Sequence, residues 1–271
     1  MDQSYLDSFP GADVFDCFRG EFLHYEMSQK RLAVIASGES APKGLDKIPY
    51  KYSEVIVDYT CNIENFSWLE MNELELFSLS GTAKVVSGFG LKKVKRLVVL
   101  NAGQIEAVSM VCPNHVEELT ARGLEVGGAF QLSLFPQINK LDVIAGSILT
   151  GSLNGAPISR LRIDSCFIEE LKLDGRKEMV MVLSCESLRQ ISVSCEEMIL
   201  SDCPNVVFEP TSQFDSLQIA GMRNPGGSCF QGIAAEIFFD NCVFDKTDFK
   251  RVQKLKDSCR VEMIGCKKLR K

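Results

Sequence analysis

The sequence predicts a mainly β solenoid, which is a stack of short parallel strands with one buried face. An apolar pattern recurs about every 20 residues from about residue 50 to the end of the chain, and a fixed period of this length is typical of solenoids. The centre of each copy alternates apolar and polar residues, as expected of a strand with one buried side. A second, weaker set of alternating residues lies between the main strands, for example at Leu171 and Leu173, and leaves no room for a full helix in each coil.

Eleven copies of the pattern align on two apolar positions that are separated by one residue. The first position is occupied by Val55, Leu74, Leu97, Leu119, Leu141, Leu161, Val180, Met198, Leu217, Ile237 and Val261. The second is occupied by Val57, Leu76, Val99, Ala121, Val143, Ile163, Val182, Leu200, Ile219, Phe239 and Met263. Since only about half of the residues in an ordinary chain are apolar, these columns predict about 11 coils with parallel strands in register.

A third column lies five residues after the first, where the chain turns out of each strand. It contains five of the eleven cysteines, namely Cys166, Cys185, Cys203, Cys242 and Cys266. A small thiol fits at a buried turn and can bond to otherwise unpaired backbone groups. We therefore expect these five cysteines to be buried, reduced and structural. Disulfide bonds between neighbouring coils are the alternative, but stacked parallel side chains have poor geometry for them.

The segment Ile158-x-x-Leu161-x-Ile163-x-x-Cys166-x-Ile168 shows the complete repeat. It resembles the leucine-rich-repeat family in its cysteine-containing form, and the resemblance extends over about residues 52 to 268. Two features depart from the family pattern: Lys177 stands where an apolar residue is expected, and the first five copies lack Cys or Asn in the turn. A right-handed parallel β-helix would share the period and is the rival fold.

The first 50 residues form a predicted capping segment, and residues 51–271 form the solenoid. An amphipathic helix is expected over Asp13 to Lys30, because apolar residues recur there at near-helical spacing: Val14, Phe15, Phe18, Phe22 and Tyr25. Leu32 and Val34 indicate an irregular coil before the first regular one. Near the other end, Phe249, Val252 and Leu255 predict one short helix from Asp248 to Lys256.

Composition excludes several classes of protein. The net charge is −6 and the Lys and Arg residues form no long runs, which argues against a general nucleic-acid or membrane-surface binder. No apolar stretch is long enough for a transmembrane helix, and the N-terminus lacks the pattern of a signal peptide. Eleven cysteines without framework spacing fit a reducing compartment. A cytoplasmic location without membrane insertion is therefore expected.

No combination of residues indicates catalysis. Cys112 and His115 have the spacing of a metal-binding pair, but there is no second pair, and zinc needs about four ligands. We therefore expect no catalytic residues, no metal and no cofactor. The rival function is that of a parallel β-helix enzyme acting on carbohydrate, which needs paired carboxylates in a cleft. The outward strand positions instead mix acidic, basic and apolar residues.

The outward strand face is the binding surface that the resemblance implies. Binding is expected to centre on coils five to eight, where a basic cluster adjoins an apolar strip. The predicted partner-binding residues are Lys140, Arg160, Arg162, Met179, Met181 and Leu183. The predicted function is a non-catalytic scaffold that binds another protein. If the source is a bacterium, the resemblance further implies an effector delivered into a host cell. The alternative binding surface is the N-terminal helix, at Phe15, Phe18 and Phe22.

Overall fold

Parallel strands that carry the apolar columns make up most of the structure. The fold class is the predicted one: 56% of the chain is strand, and the parallel strands stack as a β-solenoid of about nine turns, close to the eleven coils expected. The computed structural model describes residues 9–26, 30–36, 43–49, 52–59, 73–81, 93–100, 116–127, 132, 138–204, 206–225, 230 and 233–269. Within them, each of the eleven predicted strand positions lies in a strand.

The chain divides into two units. The first unit comprises Met1–Leu124 and Gly128–Asn139. Its strands are β1 (Ala12–Asp16), β2 (Glu21–His24), β3 (Arg31–Ala36), β4 (Glu54–Tyr59), β5 (Glu73–Gly81), β6 (Lys93–Leu100) and β7 (Val116–Arg122), with a 3-10 turn at Leu45–Lys47. The strands β1, β3, β4, β5, β6 and β7 pair in parallel in that order. The predicted boundary after residue 50 falls between β3 and β4, which are paired.

The second unit comprises Glu125–Gly127 and Lys140–Lys271. Its elements are β8 (Glu125–Val126), β9 (Lys140–Ile144), β10 (Ser147–Ile148), β11 (Arg160–Asp164), β12 (Glu170–Leu183), β13 (Gln190–Ser201), β14 (Val207–Phe208), β15 (Gln213–Ala220), β16 (Ala234–Asp240), β17 (Val243–Phe244), α1 (Lys246–Leu255), β18 (Arg260–Ile264) and β19 (Lys267–Lys268). The strands β9, β11, β12, β13, β15, β16 and β18 pair in parallel. The short strands form further parallel pairs: β8 pairs with β10, β14 pairs with one end of the long strand β13, and β17 pairs with β19.

The amphipathic helix predicted at the N-terminus is wrong. Residues 12–16 and 21–24 form an antiparallel hairpin instead, in which Phe15 pairs with Phe22 and the two ring centroids lie 5.0 Å apart. Asp16 makes the turn, because its side chain accepts hydrogen bonds from the backbone N–H groups of Phe18 and Arg19. A seven-residue separation places two rings together on a helix and also across this hairpin, so the spacing alone could not distinguish the two.

A buried carboxylate anchors this hairpin to the rest of the first unit. Asp13 has no exposed surface, and its two oxygens accept hydrogen bonds from the Glu26 N–H and the Tyr52 hydroxyl, each at 2.6 Å. Burial, followed by the hydrogen bond to Asp13, raises the pKa of Tyr52. The additional coil expected at Leu32 and Val34 is confirmed by strand β3. Leu32 pairs with Val55, and Val34 pairs with Val57.

The predicted register is wrong in the second repeat. Phe77 and Leu79, not Leu74 and Leu76, pair with the column residues Val55 and Val57. Phe77 has no exposed surface, whereas Leu76 is partly exposed. The segment Glu73–Gly81 contains apolar residues in both phases of the alternation, and a shift by an odd number of residues exchanges the two faces of a strand. The aromatic ring fills the core position that the smaller side chain would leave underfilled.

The turn after each strand of the second unit is built from a left-handed residue followed by the cysteine column. Positive φ angles occur at Ala145, Ser165, Ser184, Asp202, Gly221, Asn241 and Gly265. The backbone N–H groups of Ser165 and Ser184 bond to the carbonyl groups of Leu183 and Ser201 in the next coil, both at 2.9 Å. The sequence pattern did not predict this column, because its residue type changes from coil to coil among small, amide and acidic side chains.

Four of the five column cysteines are buried, as predicted, and all five are free thiols. The Cys166 thiol donates to the carbonyl oxygens of Val143 at 3.3 Å and Asp164 at 3.2 Å, and Cys203 and Cys242 repeat this arrangement. The prediction is wrong for Cys266, which is only partly buried, because no further described strand covers β18. Burial raises the pKa of Cys242 to about 11.

The short C-terminal helix is confirmed as α1, with Val252 and Leu255 buried. Asp245 caps it by accepting hydrogen bonds from the N–H groups of Thr247 and Asp248, both at 2.8 Å, which is the usual role of aspartate before a helix. Within the described residues, no helix is long and apolar enough to cross a membrane.

Replacing Cys203 with glutamate should cost about 3 to 5 kcal/mol of folding free energy, because it leaves an unpaired charge in a fully buried position. The matched control is Cys266→Glu, in the same column but partly exposed, which should cost less than about 1 kcal/mol. Chemical denaturation of both variants measures the difference. Equal losses would show that the column position, and not its burial, determines the cost.

Among the cysteines of the described residues, thiol labelling of the native protein should modify Cys259 and Cys266 before Cys166, Cys185, Cys203 and Cys242, which should stay unmodified until the chain unfolds. The thiolate is the reactive form, and the raised pKa of Cys242 keeps that thiol protonated at pH 8 in addition to its burial. Mass spectrometry of a labelling time course measures the order in which the cysteines are modified. Early modification of Cys203 would contradict the structure.

Candidate functional site

The six predicted partner-binding residues lie together on three adjacent strands of the second unit. Arg160 stands beside Lys140 on β9 and beside Met179 on β12, and Arg162 stands beside Met181. Their side chains alternate with the buried residues Leu161, Ile163, Val180 and Val182 and therefore point away from the core. The register therefore places the basic and apolar residues at neighbouring outward positions.

The basic cluster is paired with carboxylates. Arg162 Nη2 lies 2.6 Å from Asp164 Oδ2, Lys140 Nζ lies 3.3 Å from Asp142 Oδ2, and Arg160 Nε lies 2.8 Å from Glu178 Oε2. These pairs are partly exposed, so each contributes little to stability. Because each cation has an adjacent anion, this part of the face carries ordered dipoles rather than a net positive charge. The sequence reading missed Glu178 as the partner of Arg160.

Two polar atoms in this cluster have no hydrogen-bond partner among the described residues. They are Arg162 Nε and Asp142 Oδ1, both shielded from solvent, and their residues stand opposite each other across β9 and β11. Each of the two residues keeps an ion-pair partner through another atom, Arg162 with Asp164 and Asp142 with Lys140.

An apolar strip continues the face beyond the ion pairs. It consists of Met179, Met181 and Leu183 on β12 and Ile199 on β13, which stands opposite Met181. All four side chains are partly exposed. Ile199 was not among the predicted site residues, although the alternation places it in the same column as Met181. Polar residues border the strip on both sides, with Arg160, Arg162 and Asp164 on β11 and Glu197 and Ser201 on β13.

The alternative binding surface at the N-terminus is not a helical face. Phe15 is fully buried and Phe22 packs against both Phe15 and Tyr25. These rings close the hairpin of the first unit instead of presenting a row of apolar side chains to a partner. Of the aromatic residues that suggested a docking helix, Phe15 belongs to the core, whereas Phe18 and Phe22 are partly exposed and Tyr25 is exposed.

The described part of the chain contains no cluster of candidate metal ligands. No group of three or more His, Cys, Asp or Glu side chains is arranged to hold a metal ion there. The pair formed by Cys112 and His115 lies outside the described residues. Comparison with protein-family models and with curated proteins finds no match to this chain. The protein is a mainly β solenoid. The features of it that bear on function are those of its outward strand face.

Replacing Met181 with aspartate should leave the fold intact at a cost of about 1 kcal/mol, since the side chain points outward. The neighbouring change Val182→Asp should cost about 4 kcal/mol or more, because this residue has no exposed surface and its carboxylate would have no partner. Urea denaturation of the two variants compares adjacent positions on opposite faces. Comparable losses would contradict the assigned register.

Proposed function

We propose that this protein is a non-catalytic binding module that holds another protein on the outward face of β9 to β13. The observation that carries the proposal is the apolar strip of Met179, Met181, Leu183 and Ile199, which is bordered by ion-paired and polar side chains. Protein interfaces concentrate their energy in a small apolar centre and exclude water with a polar rim. The strip and its borders have this arrangement.

The backbone beneath the strip supports the proposal. Strands β11, β12 and β13 pair in register along the outward positions, and the residues between the strip positions are buried. A surface carried on such strands is preorganised, so binding orders few backbone groups. The two methionines can change rotamer at small cost and fit the partner's shape. A partner with one or two apolar side chains flanked by polar groups is therefore favoured.

The carbohydrate-enzyme alternative gains no supporting observation. A glycosidase-type site needs two carboxyl groups on either side of a bond, one of them free to donate a proton. On this face, Asp142, Asp164 and Glu178 each contact a Lys or Arg side chain. Delivery into a host cell and a cytoplasmic location stay predictions that rest on the sequence alone.

The proposal predicts that Met181→Asp weakens partner binding about tenfold or more, because a central apolar contact is worth about 1.4 kcal/mol or more at an interface. The partner is first captured from a lysate of the source cells on the full chain, identified by mass spectrometry and purified. Isothermal titration then compares the parent chain with the variant.

The matched control is Ser192→Asp, which introduces the same charge at a partly exposed position of β13 that lies outside the strip. It should leave the affinity unchanged. Retention of full affinity by Met181→Asp in a folded protein would refute the proposal. Sedimentation of the parent chain alone tests the remaining possibility, that the strip joins two copies in a structural assembly.

A further inference from the structure

Helix α1 carries a row of lysines on the side that faces away from the core. Its buried residues are Asp248, Val252 and Leu255, so the opposite side of the helix faces solvent. Three exposed lysines follow one another on that side at intervals of four residues, namely Lys246, Lys250 and Lys254. Residues four apart are neighbours on a helix surface. These three residues, the lysine row, therefore place three positive charges along about 12 Å of the helix.

No described carboxylate neutralises the lysine row. The salt bridge that the structure shows on α1 joins Arg251 Nη1 to Asp248 Oδ1 at 3.9 Å, and none of the three lysines pairs with a described Asp or Glu. All Asp and Glu residues between positions 140 and 271 are among the described residues. The second unit from Lys140 onward therefore supplies no partner for the row.

The lysine row does not stabilise the helix that carries it. Like charges four residues apart repel each other and destabilise a helix, whereas Glu and Lys at this spacing would attract. Lys246 is also the first residue of α1, where the positive end of the helix dipole disfavours a cation. Only Lys254, in the last turn, has a favourable position by this rule. Folding stability alone therefore does not account for the row.

The charge of the whole chain favours a short anionic partner over a long one. Residues 246–256 contain five Lys and Arg and one Asp, a net charge of +4, so the rest of the chain carries −10. Screening limits the attraction of the row to about 8 to 10 Å at physiological salt. A short acidic segment can lie within that range, whereas an extended polyanion such as a nucleic acid also meets the negative charge of the remainder.

Helix α1 lacks the groups that would hold a membrane or a nucleic acid base. Its apolar residues Val252 and Leu255 are buried, so they cannot enter lipid as the apolar face of a membrane-surface helix does. Its one aromatic residue, Phe249, already contacts two neighbours: Lys268 Nζ lies 4.8 Å from the ring centroid, and the Phe244 ring lies at 6.3 Å. The ring is therefore not a free platform for base stacking.

We propose that the lysine row is a docking site for an acidic segment of another protein. Carboxylates four residues apart on a helix are separated by about 6 Å along its axis, and those on alternate residues of an extended chain by about 6.6 Å. Either arrangement brings one carboxylate to each lysine and removes the repulsion within the row. Helix α1 packs beside β17 and β18, whereas the apolar strip lies on β12 and β13, so this proposal does not depend on the proposed function.

The probe is a fluorescein-labelled peptide of about ten residues that alternates glutamate and serine, which is longer than the row when extended. Fluorescence anisotropy with the full chain at low ionic strength should show saturable binding that weakens as salt is added. The triple variant Lys246→Gln, Lys250→Gln, Lys254→Gln should bind the peptide about tenfold more weakly, as expected for the loss of three exposed charge contacts.

The matched control is the triple variant Lys30→Gln, Lys43→Gln, Lys172→Gln, which removes the same charge at exposed lysines outside α1. It should bind as the parent does, and so should Met181→Asp, which tests the apolar strip separately. Equal weakening by the two triple variants, absence of saturable binding, or tighter binding of a single-stranded oligonucleotide or of anionic vesicles at equal charge would each overturn the proposal.

Urea denaturation of the α1 variant separates binding from folding. Glutamine and lysine have similar helix propensities, and the substitution removes the repulsion within the row. The variant should therefore unfold at the same urea concentration as the parent or at a higher one. A lower midpoint would show that the lysines serve the fold, and it would overturn the assignment of the row to a partner.

Discussion

Each coil of this protein depends on the next coil to cover its apolar side chains. The residues of adjacent strands stand in register, so each column buries its members against the same column of the neighbouring strand. In the middle of the second unit this leaves Val180, Met198 and Leu217 with no exposed surface. At β18, which pairs with a described strand on one side only, Val261 and Met263 are partly exposed. Stability in such a stack comes from nearest neighbours, and the final strand shows what each coil would lack alone.

The turn at the end of each strand makes this register possible. A left-handed residue reverses the chain, and the following cysteine donates its thiol to backbone carbonyl groups that would otherwise be unpaired. Two positions of this column are restricted to glycine by the coil before them. A Cβ at Gly221 would lie 2.3 Å from Asp202 Oδ1, and Gly265 stands in the same relation to Asn241. A longer Asp or Asn side chain in one coil therefore occupies the space that a Cβ would need in the next.

The regular part of the fold could be predicted from the sequence because its signal repeats. Ten of the eleven strand registers follow from alternation alone, since one face is buried in each coil and a slip would expose it. The second repeat failed because Leu74, Leu76, Phe77 and Leu79 satisfy both phases. The N-terminal hairpin failed because Asp16 forms a turn that the aromatic spacing hides. Both errors lie in segments whose local pattern fits two structures, and in each segment tertiary packing selects one of them.

The candidate site was predictable in position but not in chemistry. Alternation placed Arg162 and Met181 side by side on the outward face. Sequence could not show that Arg162 bonds to Asp164 in its own strand, because the choice among nearby carboxylates depends on rotamers. The choice of partner determines whether this surface carries a net positive charge. An unpaired basic cluster would attract any anion, whereas charges that are already paired within the face leave little net attraction for one.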